Sequence, residues 1–228
     1  MTADSLIAHL NTAAAVMSGW EVLAVILAVI YLLLAMQERI ECWYAAFAST
    51  SIYIFLFWDV NLLMESALQL YYLAMAVYGW WQWRIRRDGN DLPIQVWSFR
   101  RHAVVLVSIL FLVIVSGYLL EQNTHAALPY LDSFTTWGAV ITTYMVAHKV
   151  LENWWYGLII DDVSASLYIH RGLYPTAFLY FFFCVLVVFG YFRWLPLYLD
   201  KPLDPFGDYT CRGRAPCQGN LAVVSLPL

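Results

Sequence analysis

Two adjacent carboxylates, Asp161 and Asp162, interrupt an apolar run long enough to cross a membrane. Ionisable groups are expensive in hydrocarbon, so acids near mid-run are placed for a ligand or ion. The alternative is a structural lock, in which one acid pairs with a distant Arg or a helix end. Trp154 lies seven residues, two helical turns, before Asp161 and shares its face. Ala165 and Tyr168 continue that stripe, and Asn153, Tyr156 and Ser164 line an adjacent one. An indole, an amide and a carboxylate on one side of a helix suit a ligand that is cationic or rich in hydroxyls. An earlier run carries Gln69 and Tyr72, three apart on one face near mid-depth, with Glu65 and Tyr71 beside them. They can meet a ligand or bond a neighbouring helix, the latter worth about 0.6–2 kcal/mol per contact. Gln82 stands among indoles in Tyr78-Gly79-Trp80-Trp81-Gln82-Trp83. There its amide can bond a ligand amide while the rings stack on an aromatic ligand. As an interfacial belt, the same rings would only anchor a helix end.

The elements that must position these residues are membrane helices. Of 228 residues, 62% are hydrophobic and 12% charged, about half the charge of a soluble domain. Seven apolar runs stand out, at 20–37, 41–58, 60–83, 103–120, 131–147, 150–169 and 173–193. Each approaches the ~20 residues a helix needs to span a bilayer. Period-two alternation is absent, which argues against a membrane barrel. With seven spans, Arg39, Arg84, Arg86, Arg87, Arg100, Arg101, Lys149, Arg193, Lys201, Arg212 and Arg214 share one side, and only Arg171 lies on the other. That bias places the N-terminus outside and the C-terminus in the cytoplasm. Residues 1–19 lack Lys and Arg and read as a surface amphipathic segment rather than a cleaved leader. Residues 196–228, rich in Pro and Gly, read as a disordered cytoplasmic tail.

Cys42 and Cys184 fall in apolar helices and Cys211 and Cys217 in the tail, a pattern of free thiols rather than a disulfide or zinc framework. There is no phosphate-binding loop, zinc-protease motif or nucleophile triad, so no enzyme, metal or cofactor is expected. The only lysines, Lys149 and Lys201, lie at loops or ends, which removes a retinal protein with a buried Schiff base. The five histidines lie mostly near span ends and form no proton relay.

Sliding the chain against itself by 111 residues aligns Ala28-Val29-Ile30 with Ala139-Val140-Ile141, Glu41 with Glu152, Trp43 with Trp154, Gly79 with Gly190 and Trp83 with Trp194. Shared hydrophobicity does not put Glu, Trp, Gly and Trp in one frame. Residues 20–84 and 131–195 are therefore two copies of a three-helix bundle, with 85–130 supplying a loop and a linker helix. An odd unit reached through one extra span keeps its direction, so the repeat is parallel, about an axis along the membrane normal. Thr50 and Ser51 then stand where the second copy has Asp161 and Asp162, hydroxyls opposite carboxylates. Gly79 and Gly190 let helices approach. Glu41 and Glu152 either attract a cation or pair with Arg39 and Lys149.

The runs ERIECWYAAF, FWDVNLLMESALQLYY and YGWWQW, and then HKVLENWWYGLIIDDVSASLYIHRGLYPTAFLYF and FGYFRW, resemble the two halves of the PnuC-type vitamin transporters across residues 20–195. The resemblance implies an all-α, seven-helix, SWEET-like 3+1+3 membrane protein assembled as a homotrimer in the bacterial inner membrane, without nucleic acid as a partner. It implies facilitated diffusion of nicotinamide riboside, trapped by phosphorylation inside the cell; relatives carry thiamine or riboflavin. Aromatics, Trp154 above all, with Trp43 as its counterpart, would take the pyridinium ring by stacking and cation–π attraction. Gln82 or Asn153 would take the amide, and Asp161 or Asp162 with nearby hydroxyls the ribose or the charge. The family often reads Glu-Asn-Trp-x-x-Trp, whereas here the second Trp is Gly157. Either Trp155 fills that space or the pocket is more open. The competing readings are a thiamine or riboflavin transporter of the same fold, and a membrane receptor that binds without transporting.

Overall fold

A computed structural model describes residues 19–59, 63–85, 92–123, 128–170 and 174–199. Seven helices fill them: α1 (Gly19–Met36), α2 (Cys42–Asp59), α3 (Leu63–Ile85), α4 (Phe99–Asn123), α5 (Pro129–Ala147), α6 (Asn153–His170) and α7 (Tyr174–Leu199). At 1.5 Å per residue the shortest is about 27 Å long, close to a bilayer core. Length and apolarity alone mark α1, α4 and Ala177–Leu199 as membrane spans, with a shorter apolar stretch at Cys42–Leu56. The segment at 1–18 and the cysteines at 211 and 217 lie outside the described residues. The tail expected from 196 is helical as far as Leu199, because α7 continues through Pro196.

The helices pack as α1–α2–α3 and α5–α6–α7. The two groups meet where α3 packs on α5 and α1 on α7, and α4 lies against α5. The turn after α1 and the turn after α5 are drawn alike. Glu38 N–H donates to the Ala35 carbonyl and Arg39 N–H to Leu34; Lys149 N–H donates to Val146 and Val150 N–H to Met145. Glu38 and Lys149 both adopt the left-handed conformation, with φ of 53° and 50°.

Each group is braced by the same aromatic arrangement. Trp43 on α2 presses on Gly79 of α3, and Trp154 on α6 on Gly190 of α7; a Cβ at either glycine would fall on the indole ring. Trp83 meets Trp43 edge to face at 5.5 Å, and Trp194 meets Trp154 at 5.2 Å. Trp83 then donates across to the Ala147 carbonyl on α5 (3.1 Å), and Trp194 to the Ala35 carbonyl on α1 (3.2 Å). Trp83 and Trp194 are 5% and 0% exposed, so they are struts between the two groups and not members of an interfacial belt. Trp81 is half exposed.

Candidate functional site

The bracing leaves a cavity of about 230 Å³ on one side of the contact between the groups. One wall is α1, through Ala28, Tyr31, Leu32 and Ala35, facing Ala139, Thr142, Thr143 and Val146 of α5. These are the same four positions of the two copies. The other wall belongs to the second copy alone: Asn153, Trp154, Gly157, Ile160 and Asp161 of α6, with Phe183 and Val187 of α7.

Asn153, Trp154 and Asp161 are thus brought together, as their helical spacing implies. Asn153 and Trp154 are buried and Asp161 is half-buried. Asn153 donates from Nδ2 to the Val150 carbonyl at 2.6 Å, which fixes its amide at the start of α6. The Trp154 indole N–H has no partner among the described residues. An orphaned buried donor costs on the order of 1–3 kcal/mol. The hydroxyls of Thr142 and Thr143 donate to carbonyls of their own helix, Gly138 (2.9 Å) and Ala139 (2.8 Å), so they face the cavity as acceptors.

Gly157 opens the wall. A Cβ there would stand 3.7 Å from the nearest Val187 methyl and 3.9 Å from Thr142, ordinary contact distances. Trp155 does not fill that space, because it points outward, half exposed, against Tyr191.

Six of the expected residues do not line this cavity. Asp162, one residue and about 100° further round α6, is exposed. Thr50 is buried in α2 beside Ser49, whose hydroxyl donates to the Ala24 carbonyl at 2.9 Å. Gln69 is half-buried on α3, and Tyr72 turns its ring edge to face with Tyr71. Trp43 is buried against Gly79, and its indole N–H is also unpartnered among the described residues. Gln82 lines a separate hollow of about 770 Å³ with Gln95, Trp97, Arg100, Arg101 and His148. It donates to the Tyr78 hydroxyl at 2.6 Å. One residue is about 100° on a helix, so inward-facing Trp83 turns Gln82 aside.

Sequence reasoning missed Tyr31, Thr142, Thr143 and Phe183. Tyr31 and Thr142 share one position of the repeat, and reading that frame along the first helix of each copy would have found them. The acids at the helix starts also differ. Arg39 pairs with Glu41 at 3.2 Å, as one reading expected. Glu152 does not pair with Lys149: it accepts from the Trp97 N–H at 3.3 Å and lies 3.6 Å from His102. Lys149 is taken instead by Glu38, at 2.7 Å.

The family model described as nicotinamide mononucleotide transporter matches residues 18–196, all of α1 to α6 and α7 as far as Pro196. The chain belongs to this family. Among its relatives is the nicotinamide riboside transporter PnuC of Escherichia coli (strain K12), 21% identical over 188 residues, covering 71% of this chain and 79% of that protein. Another is the riboflavin/roseoflavin transporter RibM of Streptomyces davaonensis, 25% identical over 174 residues, covering 74% and 81%. The crystal structure of the vitamin B3 transporter PnuC matches with a TM-score of 0.63 at 18% identity, covering 85% of this chain and 90% of that one. At that identity the likeness is one of fold. The resemblance carried by YGWWQW and ENWWY is borne out: this is a multi-pass membrane protein of the PnuC-type vitamin transporters, and not an enzyme.

Proposed function

We propose that this protein carries nicotinamide riboside across the membrane by facilitated diffusion, with phosphorylation inside the cell trapping the product. The observation that carries this reading is the cavity, where Trp154, Asn153 and Asp161 meet around about 230 Å³. Trp154 and Tyr31 give the cavity an aromatic lining for a pyridinium, Asn153 an amide for an amide, and Asp161 a charge opposite the ring cation. The volume lies just below the ~300–1,000 Å³ of drug-sized sites, which suits a nucleoside. Matching carbonyl patterns after α1 and α5, and matching Trp–Gly braces, support a parallel SWEET-like 3+1+3 repeat of 20–84 and 131–195. The positive-side bias supports an inner-membrane protein with its N-terminus outside. A homotrimer completes the proposal.

A second reading is favoured by one observation, the comparable similarity to a riboflavin/roseoflavin transporter. A flavin needs a wider cavity than the one described. Titration calorimetry with nicotinamide riboside, thiamine and riboflavin in parallel, followed by uptake into proteoliposomes, tests both readings. Nicotinamide riboside alone should bind and be taken up. Asp161→Asn should weaken it at least about tenfold and Asp162→Asn by less than about twofold, a tenfold change being 1.4 kcal/mol. Tight thiamine or riboflavin binding would replace the substrate. Binding without uptake would make the protein a receptor.

A further inference from the structure

We infer that Glu38 and Lys149 form a latch that closes one end of the substrate path between the two halves; the inference rests on reading the Trp154 cavity as the substrate site. The two residues occupy the same position of the two copies, 111 residues apart, and the ion pair between Nζ and Oε2 is 2.7 Å long. It therefore joins the halves through one equivalent position of each. Lys149 is only 8% exposed, and its ammonium also lies 4.7 Å from the centre of the Trp83 ring. A buried ammonium left without its carboxylate is costly, so the pair holds firmly once formed.

The latch stands between two hollows. Glu38 and Lys149 donate their backbone N–H groups to Ala35 and Val146, which line the inner cavity. On the other side, Glu38 and Lys149 themselves line an outer hollow of about 330 Å³ with Arg39, Glu41 and Trp83. A path joining the two hollows would run beside the pair. The left-handed backbone at both residues is one that side chains rarely adopt, and its strain is held in place by packing. Part of that packing is a strap. Gln95 N–H donates to the Lys149 carbonyl (3.0 Å), Leu151 N–H to the Gln95 carbonyl (2.8 Å), and Gln95 Nε2 to the His148 carbonyl (2.9 Å). The strap fixes the Lys149 side, which leaves the Glu38 turn as the part that moves.

The test places a thiol on the inner side of the latch. In a full-length chain with Cys42, Cys184, Cys211 and Cys217 replaced by alanine, Val146→Cys is labelled with a membrane-impermeant maleimide in vesicles of both orientations. From the latch side, Glu38→Gln should speed labelling at least about fivefold, the change in open population that loss of the pair produces. Lys149→Met should do the same, and the double exchange Glu38→Lys with Lys149→Glu should restore slow labelling. Rates within about twofold across all three variants would overturn the latch. Should one single variant fail to fold, the other and the exchange still decide. Calorimetry on the chain with native Glu38 and Lys149 keeps the two readings apart. Loss of nicotinamide riboside binding there removes the substrate assignment, while the labelling rates still judge the closure.

Discussion

The two halves share their scaffold and differ in their walls. In both, an indole at the start of the second helix presses on a glycine of the third, and a second indole reaches across to the other half. Yet only the second half turns its second and third helices to the cavity. Where α6 has Asn153, Gly157 and Asp161, α2 has Cys42, Ala46 and Thr50. Where α5 has Thr142, α1 has Tyr31, whose ring stands 6.1 Å from Trp43 and takes up the space beside it. Repeated positions therefore hold the chain, and apart from Trp154 the α6 residues that line the cavity at Asn153, Gly157 and Asp161 are ones that break the repeat.

The largest effect should come from attacking what is shared. Gly79→Val and Gly190→Val each drive side-chain atoms into an indole held by buried packing. Each should cost about 3 kcal/mol or more, and to a similar extent in either half. Thermal unfolding in detergent reads this directly. Tolerance of one substitution would mean that one brace is dispensable.

A comparable loss of stability, with a difference in binding, should separate scaffold from site. Trp43→Ala and Trp154→Ala remove equivalent buried rings, and each should lose about 3–5 kcal/mol of stability. Only Trp154→Ala should also lower affinity for nicotinamide riboside, by at least about tenfold. Calorimetry on protein that is still monodisperse makes the comparison. Equal binding by Trp154→Ala and unmodified protein would take Trp154 out of the site.

Much of this frame is legible in the sequence, because Glu, Trp, Gly and Trp recur in register and the apolar runs mark the helices. That Asp161 and Trp154 share a face follows from helical spacing. Positions that depend on what lies opposite were harder. Trp83 reads as an interfacial ring because it ends a helix, but a carbonyl on α5 and the Trp43 ring bury it. Gln82, one residue earlier, faces another hollow. Lys149 reads as the neighbour of Glu152, three residues on, yet two left-handed turns distant in sequence deliver it to Glu38. Periodicity reports the face of a residue on its own helix, and it carries no information on which helix will meet that face.

The finest comparison is at Gly157, where converting the second half to the residue of the first changes one methyl. Gly157→Ala meets Val187 and Thr142 at ordinary contact distance, so the helices need not move. Replacing a mid-helix glycine with alanine should raise stability by up to about 1 kcal/mol. The same methyl takes volume from the cavity wall, so affinity should fall by about two- to fivefold, or 0.4–1 kcal/mol. Stability and binding then move in opposite directions, which a purely structural glycine would not produce. Measured together on one preparation, a higher unfolding temperature with weaker binding assigns Gly157 to the cavity. A higher unfolding temperature with unchanged binding would mean that the ligand does not reach this part of α6, and that the opening left by the missing second Trp is not used.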